Sequence, residues 1–153
     1  MLENLIEDRD FVKIMQKNIE NLIILLFEKD QNFGILCKIE HVTFEPALPK
    51  EISAEFRPMT LFFLAGYTFD TASIEDDKLV FEAGFGADNF GSIVSVPLWS
   101  IKQIIVDETP LLINLSNYKN ESIKHIKKAD DGGVENSMAS FLSNPENSKF
   151  LKK

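Results

Sequence analysis

The stretch Ile74 to Ile105 reads IEDDKLVFEAGFGADNFGSIVSVPLWSIKQII, and its pattern decides the fold. A charged turn at Glu75-Asp76-Asp77-Lys78 leads into a strand from Leu79 to Phe85. Gly84, Gly86 and Gly91 supply the backbone freedom of a hairpin loop. A second strand carries Ile93, Val94 and Val96, and Pro97 stops it. Leu98 to Ile101 fits one tight helical turn before a third strand begins near Ile104. The segment holds no metal-ligand cluster, no phosphate loop and no acid–base pair. Its form is that of a surface that holds something rather than transforms it.

Upstream, Phe11, Ile14, Met15, Ile19, Leu22, Ile23 and Leu26 recur at helical spacing and predict a helix from about Asp10 to Lys29. Asp8 or Asp10 is a suitable cap, and Gly34 lies just past the expected end. From Leu22 to Phe27 the helix has no polar side, so it needs partners on more than one face. Burial in the domain and a helix-mediated homodimer both meet that need. After Gly34, Ile35 to Phe44 reads as a strand ended by Pro46 and Pro49. Ile52, Ala54 and Phe56 alternate as a short strand closed by Arg57-Pro58. Thr60 to Ala65 is continuously apolar and predicts a strand buried on both faces. Gly66 bends it, and Phe69 resumes the pattern. Short strands at Ile104–Val106 and Leu111–Ile113 complete the set.

One helix followed by short strands predicts a mainly β domain over residues 1–116: an SH3/Sm-like small barrel or a half-open β-sandwich. Residues 117–153 are rich in Asn, Ser, Lys, Asp and Gly and lack sustained periodicity, which predicts a flexible C-terminal tail. The tail ends in Lys149-Phe150-Leu151-Lys152-Lys153, two large apolar residues framed by lysines. Such a pair either folds back on the domain or seeks a partner.

Of the 153 residues, 44% are hydrophobic, ample for a core, and the net charge is −8. Seven lysines against five acidic residues make the tail +2 and leave −10 on residues 1–116. Such a balance argues against nucleic acid and anionic membranes, whose binding needs clustered Lys and Arg. A lone Cys37 forms no intramolecular disulfide and suits a reducing compartment. The acidic start lacks a secretory signal, and the longest dense apolar run, Leu22 to Phe27, is far short of the roughly 20 residues that span a bilayer. The expectation is a soluble cytoplasmic protein.

Catalytic chemistry finds no support. His41, in the strand expected over Ile35 to Phe44, His125 in the tail and Cys37 make no zinc spacing. No serine elbow is present, and Cys37 sits mid-strand. The glycines lack the Gly-Lys-Ser/Thr of a phosphate loop, and Glu75-Asp76-Asp77 lacks calcium-loop spacing. No enzyme activity, metal or cofactor is expected.

At LVFEAGFG (Leu79 to Gly86) followed by IVSVPLWSI (Ile93 to Ile101), the chain resembles the SspB, or stringent starvation protein B, family. Phe81, Ala83, Phe85 and Gly86 match its Phe-x-Ala-x-Phe-Gly core, and Val94 through Leu98 match its Val-Ser-Val-Pro-Leu strand end. The likeness covers roughly residues 10–115 and is strongest in the last third. It implies a homodimeric adaptor for the ClpXP protease, with a groove for ssrA-type degradation tags and a tail that docks on the N-terminal domain of the ClpX unfoldase. By motif, tag contacts fall on Ala83, Gly84, Phe85, Gly86 and Ser95, with Phe63 and Ala65 beside them. Docking falls on Lys149, Phe150, Leu151, Lys152 and Lys153. The dimer contact implied is the N-terminal helix, through Phe11, Met15, Leu22, Ile23 and Leu26. A tail of about 35 residues, if unstructured, reaches about 30 Å. The chain departs from the family pattern at Gly84, usually basic, and in the longer loop Ala87 to Gly91 with its Phe90. Its N-terminal segment is also longer, and its tail shorter and less acidic. The other reading is a small β-barrel that binds RNA or protein and has no part in proteolysis.

Overall fold

The structure, a computed structural model, describes residues 1–118, and Met1 to Tyr118 form one unit. The docking residues Lys149, Phe150, Leu151, Lys152 and Lys153 lie outside the described residues. A short helix α1 (Leu2–Ile6) precedes the long helix α2 (Arg9–Glu28). Asp8 caps α2 by accepting from the amides of Asp10 and Phe11 at 2.8 and 3.2 Å. This satisfies two of the donors that every helix start leaves bare. The chain leaves α2 through Asp30, which takes the left-handed conformation (φ 56°) expected near Gly34; Gly34 is already in a strand.

Eight strands follow: β1 (Phe33–Lys38), β2 (Thr43–Glu45), β3 (Met59–Leu64), β4 (Ser73–Glu75), β5 (Lys78–Phe85), β6 (Phe90–Pro97), β7 (Ile101–Val106) and β8 (Thr109–Ile113). Single helical turns α3 (Lys50–Ser53) and α4 (Tyr67–Asp70) flank β3. The strands form two four-stranded antiparallel sheets, ordered β3-β1-β7-β8 and β2-β6-β5-β4. Two 3₁₀ turns, Ile39–His41 and Leu98–Ser100, step the chain from one sheet to the other. The result is mainly β with an N-terminal helix, a half-open sandwich whose strands do not close into a barrel.

Alternate residues of both sheets point inward. Phe33, Ile35 and Cys37 meet Leu64, Leu79, Phe81, Val94, Val96 and Ile104 with almost no exposure, and α2 adds Ile19, Ile23 and Leu26. Full burial of each such side chain is worth about 1.5–3 kcal/mol. The two turns of residues Asp76-Asp77 and Asp107-Glu108 have positive φ at both positions, the geometry that matches the twist of paired strands.

The structure corrects several expectations. Ile35 to Phe44 is not one strand: β1 ends at Lys38, and His41 lies in the 3₁₀ turn, its ring 4.6 Å from that of Trp99. Ile52, Ala54 and Phe56 do not form a strand; Pro49 leads into α3, Ile52 reaches Gly86 and the Phe56 ring packs on Phe85. Phe69 lies in α4 rather than a strand. β3 is buried on one face only, with Leu61 and Phe63 outward at 56% and 62% exposure. Of the residues assigned to a helix interface, Ile23 and Leu26 are buried in the chain's own core. Phe11, Met15 and Leu22 are half-buried, and the exposed apolar positions of α2 are Ile14, Ile24 and Leu25. Among the described residues, no helix is long and apolar enough to cross a membrane.

Candidate functional site

β4 is short, and that shortness opens the site. It pairs with β5 only from Lys78 to Val80, so β5 runs on to Phe85 with β6 on one side and no strand on the other. The two-residue turn before Lys78 sets the alternation of peptide groups along β5. Those of Lys78, Val80, Glu82 and Gly84 face the β4 side, while those of Leu79, Phe81, Ala83 and Phe85 bond to β6. The Glu82 amide confirms the phase, because it donates outward to Thr71 Oγ1 at 2.9 Å. Two residues on, Gly84 presents its N–H and C=O along the same edge with no strand to take them.

Across this opening lies β3, the edge of the other sheet. Phe62 of β3 and Phe81 of β5 meet inside it with ring centroids 5.8 Å apart. Further along, Phe44 and Phe56 stack at 5.7 Å, and both meet Phe85, at 5.6 and 6.1 Å. These five rings close the base of a seam between two strand edges. α4 bridges it at one end: the Tyr67 hydroxyl donates to Glu82 Oε1, and that carboxylate holds the phenol above its ordinary pKa. α3 bounds the other end, where Ile52 reaches the turn at Gly86.

Two glycines shape the end of β5, and only one of them is required by the backbone. Gly86 has φ 75°, and a Cβ there would lie 2.9 Å from Ile52 Cδ1. Gly84 has ordinary strand geometry, but a Cβ would fall 1.8 Å from Asn89 Oδ1. That oxygen is the end of an exposed side chain, which a side chain at position 84 would turn aside.

Of the seven residues selected for peptide contact, the structure gathers four, Ala83, Gly84, Phe85 and Gly86, at the end of β5. Ala83 and Phe85 turn inward and are half-buried; Gly84 and Gly86 are exposed. Ala65 sits at the α4 end, its amide donating to Thr68 Oγ1. Two do not join them. Phe63 projects from the outer face of its own sheet, and Ser95 lies on the outer face of the other, between Thr43 and Val80. Sequence reasoning missed Phe44, Phe56, Ile52, Tyr67 and Thr71. The density of phenylalanine was visible, but nothing local told that Phe44 and Phe56, twelve positions apart, would stack.

A separate shallow cleft of about 380 Å³ lies between α2 and β4, lined by Glu20, Ile24, Phe27, Ala72, Ser73 and Ile74. It holds none of the selected residues. Among the described residues, no three His, Cys, Asp or Glu side chains gather as a metal site. Burial pushes the Cys37 thiol up to about 12, far from a nucleophile's range. Compared with known proteins, the chain matches no family model and no curated protein.

Proposed function

We propose that this chain is a non-enzymatic adaptor that captures an extended peptide, of the ssrA degradation-tag type, along the seam and delivers its bearer to the ClpXP protease. One observation carries the reading: beyond β4, β5 presents an unpaired edge at Gly84 directly beside a floor of apolar rings. An extended peptide that binds by strand addition needs both, edge groups for affinity and apolar hollows for alternate side chains. The likeness of Leu79–Gly86 and Ile93–Ile101 to the SspB family names the partners. In that scheme Lys149–Lys153 docks on the ClpX N-terminal domain, and the tail raises the local concentration of cargo at the unfoldase. A tag with an acidic group opposite position 84 gains nothing from Gly84, where the family usually offers a base.

Delivery and capture separate experimentally. Removal of Lys149–Lys153 is expected to leave tag binding intact and to abolish the acceleration of degradation by ClpXP. Acceleration that survives the deletion contradicts the tail assignment. A single-stranded RNA bound in preference to the tag peptide would instead favour the nucleic-acid reading.

A further inference from the structure

The open edge of the seam carries a charge pattern of its own. On the outer face of the β2-β6-β5-β4 sheet, the charged side chains are Glu45, Glu75, Lys78 and Glu82. Lys78 faces Glu75 in register across β4 and β5, so the one base of this face already lies opposite an acid. Glu82 has no such neighbour. Its row runs through Ile93 to Glu45, a second acid two strands away. Among the described residues, no Lys, Arg or His forms an ion pair with Glu82. Tyr67, at the start of α4, donates its hydroxyl to Glu82 Oε1 and so fixes the carboxylate beside the edge, where it stays exposed.

A peptide that continues the antiparallel ladder of β4 meets Gly84 first, because the Glu82 amide is already taken by Thr71 Oγ1. In such a ladder, the residue directly opposite Gly84 turns its side chain to the face that Glu82 occupies. Gly84 puts no side chain in its way, and the Asn89 amide beside it ends an exposed side chain that can turn aside. The diagonal neighbour along β5 is then Glu82, at the roughly 7–8 Å that a long side chain spans. We propose that Glu82 is a specificity-determining residue of the seam: it selects a peptide with lysine or arginine opposite Gly84 over one with an acid there. The inference rests on the peptide reading above and names the class of peptide that the edge takes. A long cationic side chain at that position reaches a carboxylate already held in place by Tyr67, whereas an acidic one is repelled by it.

The test is fluorescence anisotropy on the full chain with a labelled ssrA-type peptide in which lysine and glutamate replace each residue in turn. At one position, the lysine peptide is expected to bind about fivefold more tightly than the glutamate peptide, the size of one exposed ion pair gained against one repulsion. Glu82→Gln, which keeps an acceptor for Tyr67, should remove the preference at that position, and Glu82→Lys should reverse it. Glu75→Gln should leave it unchanged. Equal binding of lysine and glutamate peptides at every position overturns this inference and leaves the peptide reading standing, as does a preference that survives Glu82→Gln. Binding of no peptide in the set overturns the peptide reading, and this inference with it.

Discussion

Gly84 and Gly86 are two residues apart, and only one of them has to be glycine. At Gly86 the backbone itself demands it, since φ 75° costs an L-residue about 1–2 kcal/mol. At Gly84 the backbone makes no such demand, and the only crowding is the movable end of the Asn89 side chain. Gly91, opposite Gly84 in register, has open space around it and no positive φ. Gly86→Ala is therefore expected to destabilise the chain by about 1–2 kcal/mol, and Gly91→Ala by less than about 0.5 kcal/mol, read from urea midpoints. Equal midpoints would mean that the strained turn at Gly86 is not maintained in solution.

At the scale of elements, what was legible followed local rules. The spacing of α2, its cap at Asp8, the turn at Asp76-Asp77 and the stop at Pro97 are written in neighbouring residues, and the structure has all of them. What was not legible depends on distant partners. Ile52, Ala54 and Phe56 alternate like a strand, but Pro49 leads the chain into a helical turn instead. The apolar run at β3 told of two covered faces, but its outward residues Leu61 and Phe63 are exposed. The candidate site was half legible: the motif gave the end of β5, but the shortness of β4, which opens the edge, is a fact of pairing alone. That edge makes a local prediction. The amide of Gly84 should exchange with solvent much faster than those of Ala83 and Phe85, which bond to β6. Saturating tag peptide should slow Gly84 by about tenfold or more while leaving its neighbours unchanged. A Gly84 amide that stays fast in the complex rules out strand addition at this edge.

For the whole molecule, the seam joins the edges of β3 and β5, whereas an apolar face spans the outside of the β3-β1-β7-β8 sheet. β3 thus turns Phe62 inward to the seam and Leu61 and Phe63 to the outer face. The central claim is that β5's open edge takes the peptide, and Gly84→Pro tests it. Proline at this outward-facing position removes one edge donor and leaves the bonds to β6 in place. Fluorescence anisotropy with a labelled ssrA-type peptide should show saturable binding to the full wild-type chain and a loss of affinity of about tenfold or more in Gly84→Pro, with the fold retained. Undiminished binding by the folded proline variant, or no binding by the wild type, would contradict the account.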